Sequence, residues 1–433
     1  MVASPGSCIL ALAEGQRRGE IGFGRFLRNP SVTVTGINDG AASRTSEAVA
    51  GRDVLAIQDT SDIVLGAKKI RDRGYGPVGR GGALGGVLLH PVLAVDAASG
   101  EVLGLADINV WNREGGKVSK RTTRALEDKE SRRWLAGMEK SAAVLHRATS
   151  VTVVSDRESD IYEDFARRPE SVNLLIRSHY NRNLVGGNKL IDYADLLLEA
   201  GHFQITVPAK TGHPARIALL AVRFGPISIM RPQRGMPSAY LNVLAPSVDL
   251  HVVDVREINS PDSISPIHWR LLTSHTVTNI ATARKMIDYY RKRWIIEDYF
   301  RTLKSAGFHI EDADIADPKV MLKFTALAAI AAITVTQLLR ARDNPTCQGL
   351  MVAFDPDDEP LLVAICKNYQ GDNPTQRQTN PHPPDTLAFA TWVIARLGGW
   401  TGYYGKPGTR TLNRGLQRYF AVKYGSVLLS RLV

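Results

Sequence analysis

The stretch YYRKRWIIEDYFRTLK, residues 289–304, combines basic, acidic and aromatic side chains at helical spacing. At about 100° per residue, an uninterrupted α-helix places Tyr290, Arg293, Glu297 and Lys304 within a stripe of about 60°. Apolar and aromatic residues cover much of the remaining helix surface, which is typical of a helix packed into a domain. The stretch therefore predicts one buried helix whose charged row faces a cleft.

Two apolar strands predicted earlier in the chain each end in an acidic residue. GRDVLAIQDTSD (51–62) contains a strand that ends at Gln58 and Asp59, and SVTVVSDRESDIYEDFARR (150–168) contains one that ends at Asp156. Carboxylates at the carboxyl ends of adjacent strands point into one crevice, and Glu297 from the later helix can close the cluster. Such hard oxygen ligands suit Mg²⁺ or Mn²⁺. Two such ions about 3.5–4 Å apart can promote cleavage of a phosphodiester.

By spacing alone, each of these acids also has a purely structural interpretation. An aspartate that follows a strand often caps a helix, and Asp156 could cap the helix predicted from about residue 159. Glu297, next to Asp298, could be a solvated or salt-bridged residue. Composition alone does not show that the three acids meet in space.

The charge balance indicates a polyanionic partner. The 433 residues include 54 Lys and Arg against 43 Asp and Glu, which gives a net charge of +11 and a pI near 9.5. Nucleic acid is the commonest partner of so basic a protein.

Cysteine usage and hydropathy exclude other classes. The three cysteines, Cys8, Cys347 and Cys366, form no CxxC pair, which argues against a cysteine zinc site and fits a reducing cytosol. The most apolar stretch, FTALAAIAAITVTQLL (324–339), has 16 residues, and a bilayer span needs about 20. We therefore expect a buried core helix there and no membrane partner.

Several stretches of the chain, in order, resemble those of one family. Tyr290, Arg293, Glu297 and Lys304 form the spacing Y-x2-R-x3-E-x6-K, which resembles the signature of the DDE transposases of the insertion sequence 4 family. AIQDTSD resembles the family's first-Asp strand, VSDRESDIYEDF its second-Asp strand and helix, and WRLLTSHTV the strand before the signature. The closing LGGWTGYYGKPGTRTLNRGLQR resembles the family's tails. The resemblance extends from about residue 20 to the C-terminus.

The resemblance implies an α/β fold, with a ribonuclease H-like catalytic core, an antiparallel β insertion between the second Asp and the Glu, and a helical C-terminal region. It implies five segments: a shortened helical DNA-binding region (1–48), the first part of the core (49–200), the β-strand insertion (201–276), the last part of the core with the signature helix (277–342), and a helical dimerisation region with a basic tail (343–433).

The resemblance also assigns roles to individual residues. It implies that Asp59, Asp156 and Glu297 are the catalytic triad and hold two Mg²⁺ ions, for which Mn²⁺ can substitute. It implies that Tyr290, Arg293, Lys304 and Arg177 contact DNA. Trp269 would stack on a flipped-out base, a contact worth about 1–3 kcal/mol; the alternative for Trp269 is a core tryptophan in a sheet.

The function that follows is that of a Mg²⁺-dependent DNA transposase. Activated water would cleave the transposon ends, and the freed 3′-hydroxyl would attack target DNA. The expected partners are double-stranded DNA, as transposon ends and target, and a second copy of the chain in a homodimer on DNA. The expected location is the bacterial cytoplasm, at the nucleoid.

Two alternatives remain open at this point. Only 58 residues precede Asp59, fewer than in typical members, which favours a shortened, inactive remnant that binds DNA or a partner and acts as an inhibitor. The other alternative is a DDE-type nuclease that performs no strand transfer.

Overall fold

The computed structural model of the chain describes residues 1, 12–13, 16–66, 70–113, 126–207, 214–233, 243–261, 264–344, 348–371 and 378–430. The chain divides into two compact units. Unit 1 comprises Met1–Val54, Thr60–Gly116 and Trp294–Val433, and unit 2 comprises Leu55–Asp59 and Lys117–Arg293. Strand β1 (Asp53–Gln58) begins in unit 1 and ends in unit 2.

Unit 1 begins with two helices, α1 (Arg17–Arg28) and α2 (Val34–Ala48). Its strands are β2 (Ser61–Val64), β3 (Gly76–Val78), β4 (Leu84–Asp96) and β5 (Val102–Trp111), and β4 pairs antiparallel with each of the other three. The turn between β4 and β5 is fixed by Asp96, whose Oδ1 accepts hydrogen bonds from the backbone N–H of Ala98 and Ser99 at 3.0 and 2.8 Å. Aspartate favours such turns because its carboxylate can satisfy nearby backbone donors.

The helical part of unit 1 follows in the second half of the chain. It contains α7 (Ile295–Arg301), α8 (Pro318–Asp343), α9 (Asp358–Gln370), α10 (Leu387–Leu397) and α11 (Thr409–Ser430). Helix α8 starts where Asp317 Oδ1 accepts from the N–H of Lys319 at 2.8 Å, with proline at the first helical position.

Helix α8 contains the most apolar stretch of the sequence. Its 26 residues are enough, by length and composition, to cross a membrane, but 67% of its most apolar window is buried inside the chain. Core helices of globular proteins meet the same criteria, so α8 is only weak support for a membrane span. Its buried face includes Met321, Phe324 and Leu338, as expected of a core helix.

Unit 2 is built on one sheet. The remaining strands are β6 (Ser150–Ser155), β7 (Asn173–Arg177), β8 (Gly201–Val207), β9 (Arg216–Met230), β10 (Ser247–Ile258) and β11 (His268–Thr273), in the order β1-β6-β7-β11-β10-β9-β8. Strands β6 and β7 are parallel. The pairs β7–β11, β11–β10, β10–β9 and β9–β8 are antiparallel. The helices of this unit are α3 (Arg132–Val144), α4 (Tyr162–Ala166), α5 (Leu190–Leu196) and α6 (Ile280–Lys292).

The strand patterns explain this sheet. In β10, Val252, Val253 and Val255 are fully buried, and burial of each such side chain contributes about 1.5–3 kcal/mol. The mixed α/β class predicted from the sequence is confirmed, and so is the antiparallel character of the stretch from 201 to 275. That this stretch is an insertion in a ribonuclease H-like core remains a prediction.

Candidate active site

Two strand ends lie side by side in unit 2 and carry the first two predicted acids. Gln58 ends β1 and Ser155 ends β6, and both side chains are fully buried. Gln58 Nε2 lies 3.2 Å from Ser155 Oγ and also donates to the carbonyl oxygen of Trp134 at 3.3 Å. Because Asp59 and Asp156 are the next residues, this hydrogen bond holds the two acids at the same edge of the sheet.

The bond between Gln58 and Ser155 should matter for stability. Gln58→Ala leaves a buried hydroxyl without this partner, a loss that costs about 1–3 kcal/mol. We expect Gln58→Ala and Ser155→Ala each to lower the free energy of unfolding by this amount in urea titrations. The double variant should lose less than the sum, since both changes remove the same bond. Strict additivity would show that the two side chains do not support each other.

Asp59 is paired with a cation that directly follows helix α6. Arg293 Nη1 lies 3.0 Å from Asp59 Oδ2, and the two side chains are only 10% and 15% exposed. The sequence predicted Arg293 as a phosphate contact, whereas its partner in the structure is a predicted catalytic carboxylate. An ion pair shielded from water in this way is stronger than one on the open surface.

Tyr290 lies beside this pair. Its side chain is buried at 4% exposure, and the positive charge of Arg293 acts on its hydroxyl. Burial raises the pKa of Tyr290, and the negative charge of Asp156 acts in the same direction, while Arg293 and Arg177 oppose the rise. Asp156, Arg177 and Arg293 therefore lie near one tyrosine, and Arg293 also contacts Asp59.

Trp269 and Arg177 complete this group. The ring of Trp269 lies 5.9 Å from that of Tyr290 at an interplanar angle of 60°. Arg177, at the end of β7, donates from Nη2 to the carbonyl oxygen of His268 at 3.0 Å. The structure therefore brings together six of the predicted site residues, namely Asp59, Asp156, Arg177, Trp269, Tyr290 and Arg293.

Asp156 also acts as a cap, which was its alternative structural interpretation from the sequence. Its Oδ1 accepts from the N–H of Glu158 at 2.8 Å and caps the 3₁₀ turn Arg157–Ser159. A cap occupies one carboxylate oxygen, so this contact is compatible with a second role for the same side chain.

The other two predicted site residues, Glu297 and Lys304, belong to unit 1. Glu297 lies in the first turn of α7, and Lys304 lies in the π-helical turn Thr302–Ala306, with Nζ 3.5 Å from Glu311 Oε1. The prediction of one regular helix over 289–304 is wrong, because α6 ends at Lys292, α7 begins at Ile295 and a π-helical turn follows. A uniform spacing of about 100° holds only within an uninterrupted α-helix.

The donor chemistry of the strand ends fits a hard divalent cation. Asp59 and Asp156 offer carboxylate oxygens at one edge of the sheet, which Mg²⁺ and Mn²⁺ prefer. Within the described ranges, no three His, Cys, Asp or Glu side chains are grouped as the ligands of a metal ion. The carboxylate of Asp59 also forms an ion pair with Arg293.

Sequence reasoning missed a brace behind the Asp156 turn. Asp160, which is 1% exposed, accepts hydrogen bonds from the N–H groups of His179 and Tyr180 at 2.7 and 2.9 Å and from Arg182 Nε at 2.7 Å. Arg182 also donates to the carbonyl oxygen of Asp160 at 2.6 Å. This brace joins the turn after Asp156 to the segment after Arg177. The sequence signal was a charged residue in each of two short loops, which is too common to single out.

A comparison with protein families adds an independent observation. The family model described as a transposase DDE domain matches residues 42–333. The match covers both strand ends, the predicted acid Glu297 and the predicted DNA contacts, and it ends before the C-terminal part of the chain.

Proposed function

The chain belongs to the family of transposase DDE domains, and from this premise we propose that it is a transposase of the insertion sequence 4 type. Membership of this family indicates that the chain is a transposase and that its substrate is DNA. The finer assignment is cleavage at the ends of its own element, followed by attack of the freed 3′-hydroxyl on target DNA.

One observation supports this proposal most directly. The bond between Gln58 and Ser155 sets Asp59 and Asp156 at the same sheet edge, inside the matched region. Two carboxylates held close together suit phosphodiester cleavage by a carboxylate-held metal.

In the proposed mechanism, Asp59, Asp156 and Glu297 would hold two Mg²⁺ ions, for which Mn²⁺ could substitute. The bound ions would activate water and stabilise the leaving oxygen. The water oxygen bonds to phosphorus, the bond to the 3′-oxygen breaks, and the 3′-hydroxyl is released. In the second step that hydroxyl attacks a target phosphodiester, whose own 3′-oxygen leaves.

The basic and aromatic residues of the site position DNA in this proposal. Tyr290, Arg293, Lys304 and Arg177 contact phosphates, and Trp269 stacks on a base turned out of the duplex. Arg293 next to Asp59 would place a fixed positive charge where the scissile phosphate approaches, which stabilises the negative charge on the phosphate oxygens in the transition state.

The remaining parts of the proposal concern assembly. A ribonuclease H-like core with the β insertion 201–276 would carry the chemistry, and region 343–433 would join two subunits on two DNA ends. The chain would act in the bacterial cytoplasm.

Cleavage of the element's own ends tests the proposed function. The substrate is a labelled duplex with one of the sequences that flank the gene, incubated with purified protein and Mg²⁺. We expect a nick that leaves a 3′-hydroxyl, and we expect EDTA to abolish it. Intact DNA with either flanking sequence, in Mg²⁺ and in Mn²⁺, would contradict the proposal.

The proposed phosphate contacts predict a change in salt dependence. Arg293→Ala and Lys304→Ala should weaken DNA binding by a similar factor on every sequence. Each lost phosphate contact should reduce the slope of log affinity against log salt by about 0.9. The control is Arg291→Ala, a nearby exposed arginine whose Nη1 lies 3.5 Å from Asp288 Oδ1. An unchanged slope in both test variants would assign Arg293 and Lys304 to their ion pairs with Asp59 and Glu311 alone.

A further inference from the structure

The C-terminal segment is basic throughout and lies outside the matched domain. The last 48 residues of the chain, 386–433, contain seven basic residues and no acidic residue. The family match ends at residue 333. The basic residues are Arg396, Lys406, Arg410, Arg414, Arg418, Lys423 and Arg431.

Within this segment, the loop Gly398–Gly408, here called the tyrosine loop, is held in one shape. Trp400 Nε1 donates to the carbonyl oxygen of Gly405 at 3.0 Å, and Arg342 Nη1 donates to that of Pro407 at 2.5 Å. Gly402 has a φ of +84°, and an added Cβ would lie 2.3 Å from Gln378 Oε1. Glycine is therefore required at this position for the loop to adopt its shape.

The tyrosine loop presents two aromatic rings to solvent. Tyr403 and Tyr404 are 71% and 85% exposed, more than any other Phe, Tyr or Trp among the residues that the structure describes. Folding buries little of either ring, so neither contributes much to the core. Exposed aromatic side chains on an ordered loop are typical of a binding surface.

The charge around these rings is positive. Lys406 has a side chain that is 65% exposed and lies 2.7 Å from Asp343, which Arg342 also contacts at 2.7 Å. One carboxylate thus faces two cations. Arg410 is exposed in the first turn of α11.

Two further arginines are used to hold the loop. Arg414 Nε donates to the carbonyl oxygen of Gly398 at 2.5 Å, and Arg418 Nη1 donates to that of Leu397 at 2.7 Å. These bonds occupy backbone acceptors at the end of α10, where cations are favoured. The two guanidinium groups add positive charge at the base of the tyrosine loop.

A partner for this surface needs negative charge and flat apolar rings. A DNA strand with unpaired bases has both, whereas a duplex hides its base faces and an acidic peptide offers charge without stacking. We propose that the tyrosine loop binds unpaired DNA, with Tyr403 and Tyr404 stacking on bases and Lys406 and Arg410 contacting phosphates. The proposal uses DNA as the substrate of the family, and it goes beyond the cleavage site, which is built from other residues.

Binding to a fluorescein-labelled oligothymidylate, in EDTA and at fixed salt, tests the proposal without any catalysis. The double variant Tyr403→Ala/Tyr404→Ala should bind the strand about 30-fold more weakly or worse, because it removes two base stacks. Tyr403→Phe/Tyr404→Phe should bind like the wild type. Lys406→Ala/Arg410→Ala should reduce the salt slope by about 0.7 for each lost phosphate contact. Binding of a blunt duplex should change little in the tyrosine variants.

The matched control is Tyr424→Ala, which removes another exposed tyrosine, 57% exposed, from α11. A second readout locates the contact directly. Strands with 5-iododeoxyuridine should crosslink on irradiation to the tryptic peptide 397–410, in which proline protects the bond after Lys406. Any one of three results would overturn the proposal. The first is that the double alanine variant binds as tightly as Tyr424→Ala, and the second is that the double phenylalanine variant binds as weakly as the double alanine variant. The third is that the strand crosslinks only to other peptides.

Discussion

Replacing Asp59 with Asn, Asp156 with Asn or Glu297 with Gln is expected to reduce Mg²⁺-dependent cleavage on the order of 10³-fold or more. Each change keeps the shape of the side chain and removes one charge that the metal ions require. DNA binding should persist, because affinity comes mainly from the basic residues. Rates of nicking on a labelled duplex, with affinity measured in EDTA, provide the two readouts.

A double variant and a control at a neighbouring acid make this test specific to the proposed triad. Residues that act as one unit show strongly non-additive losses, so Asp59→Asn/Asp156→Asn should be hardly slower than either single variant. The control is Asp62→Asn, since Asp62 follows β1 closely and its Oδ2 accepts from the N–H of Gly79 at 2.8 Å. Wild-type cleavage by any one of the three test variants would remove that residue from the proposed triad.

Asp160→Ala is expected to cost about 3–5 kcal/mol of unfolding free energy, because it leaves the guanidinium of Arg182 buried without its counter-charge. The side chains of this pair are 0% and 7% exposed, and Asp160 also satisfies two backbone N–H groups. Urea unfolding followed by circular dichroism measures the loss.

A surface pair from the same unit serves as the comparison. Asp288 and Arg291 lie three residues apart at 3.5 Å, with side chains 57% and 43% exposed, and such pairs contribute about 0–1 kcal/mol. We expect Asp288→Ala to be nearly neutral and Asp160→Ala/Arg182→Ala to lose less than the sum of its single variants. A cost for Asp160→Ala as small as that of Asp288→Ala would show that the brace does not hold the two loops.

The strand-end acids could be predicted because they rest on local pattern. An apolar run followed by a polar residue predicts the end of a buried strand. This pattern located Asp59 directly after β1 and Asp156 directly after β6. The partners of these strand ends could not be predicted, since the contact of Gln58 with Ser155 joins residues 97 positions apart. A glutamine at a strand end has no sequence feature that identifies its partner.

The signature helix shows the opposite case. Tyr290 and Glu297 lie in helices, as predicted. The prediction of one regular helix was wrong, because Arg293 and Trp294 interrupt it and a π-helical turn follows from Thr302. Helix periodicity in a sequence assumes a constant rotation per residue. The pairing of Arg293 with Asp59, rather than with an external anion, likewise depends on tertiary contacts.

Strand transfer with precut ends is the most direct measurement of the proposed chemistry. A labelled duplex that already carries the 3′-hydroxyl at the element's end is incubated with the protein, supercoiled plasmid and Mg²⁺. We expect the label to appear in the plasmid, covalently joined, and we expect Asp59→Asn to prevent it. Cleavage of uncut ends without any joining of precut ends would identify a nuclease and contradict the assignment of this chain as an active transposase.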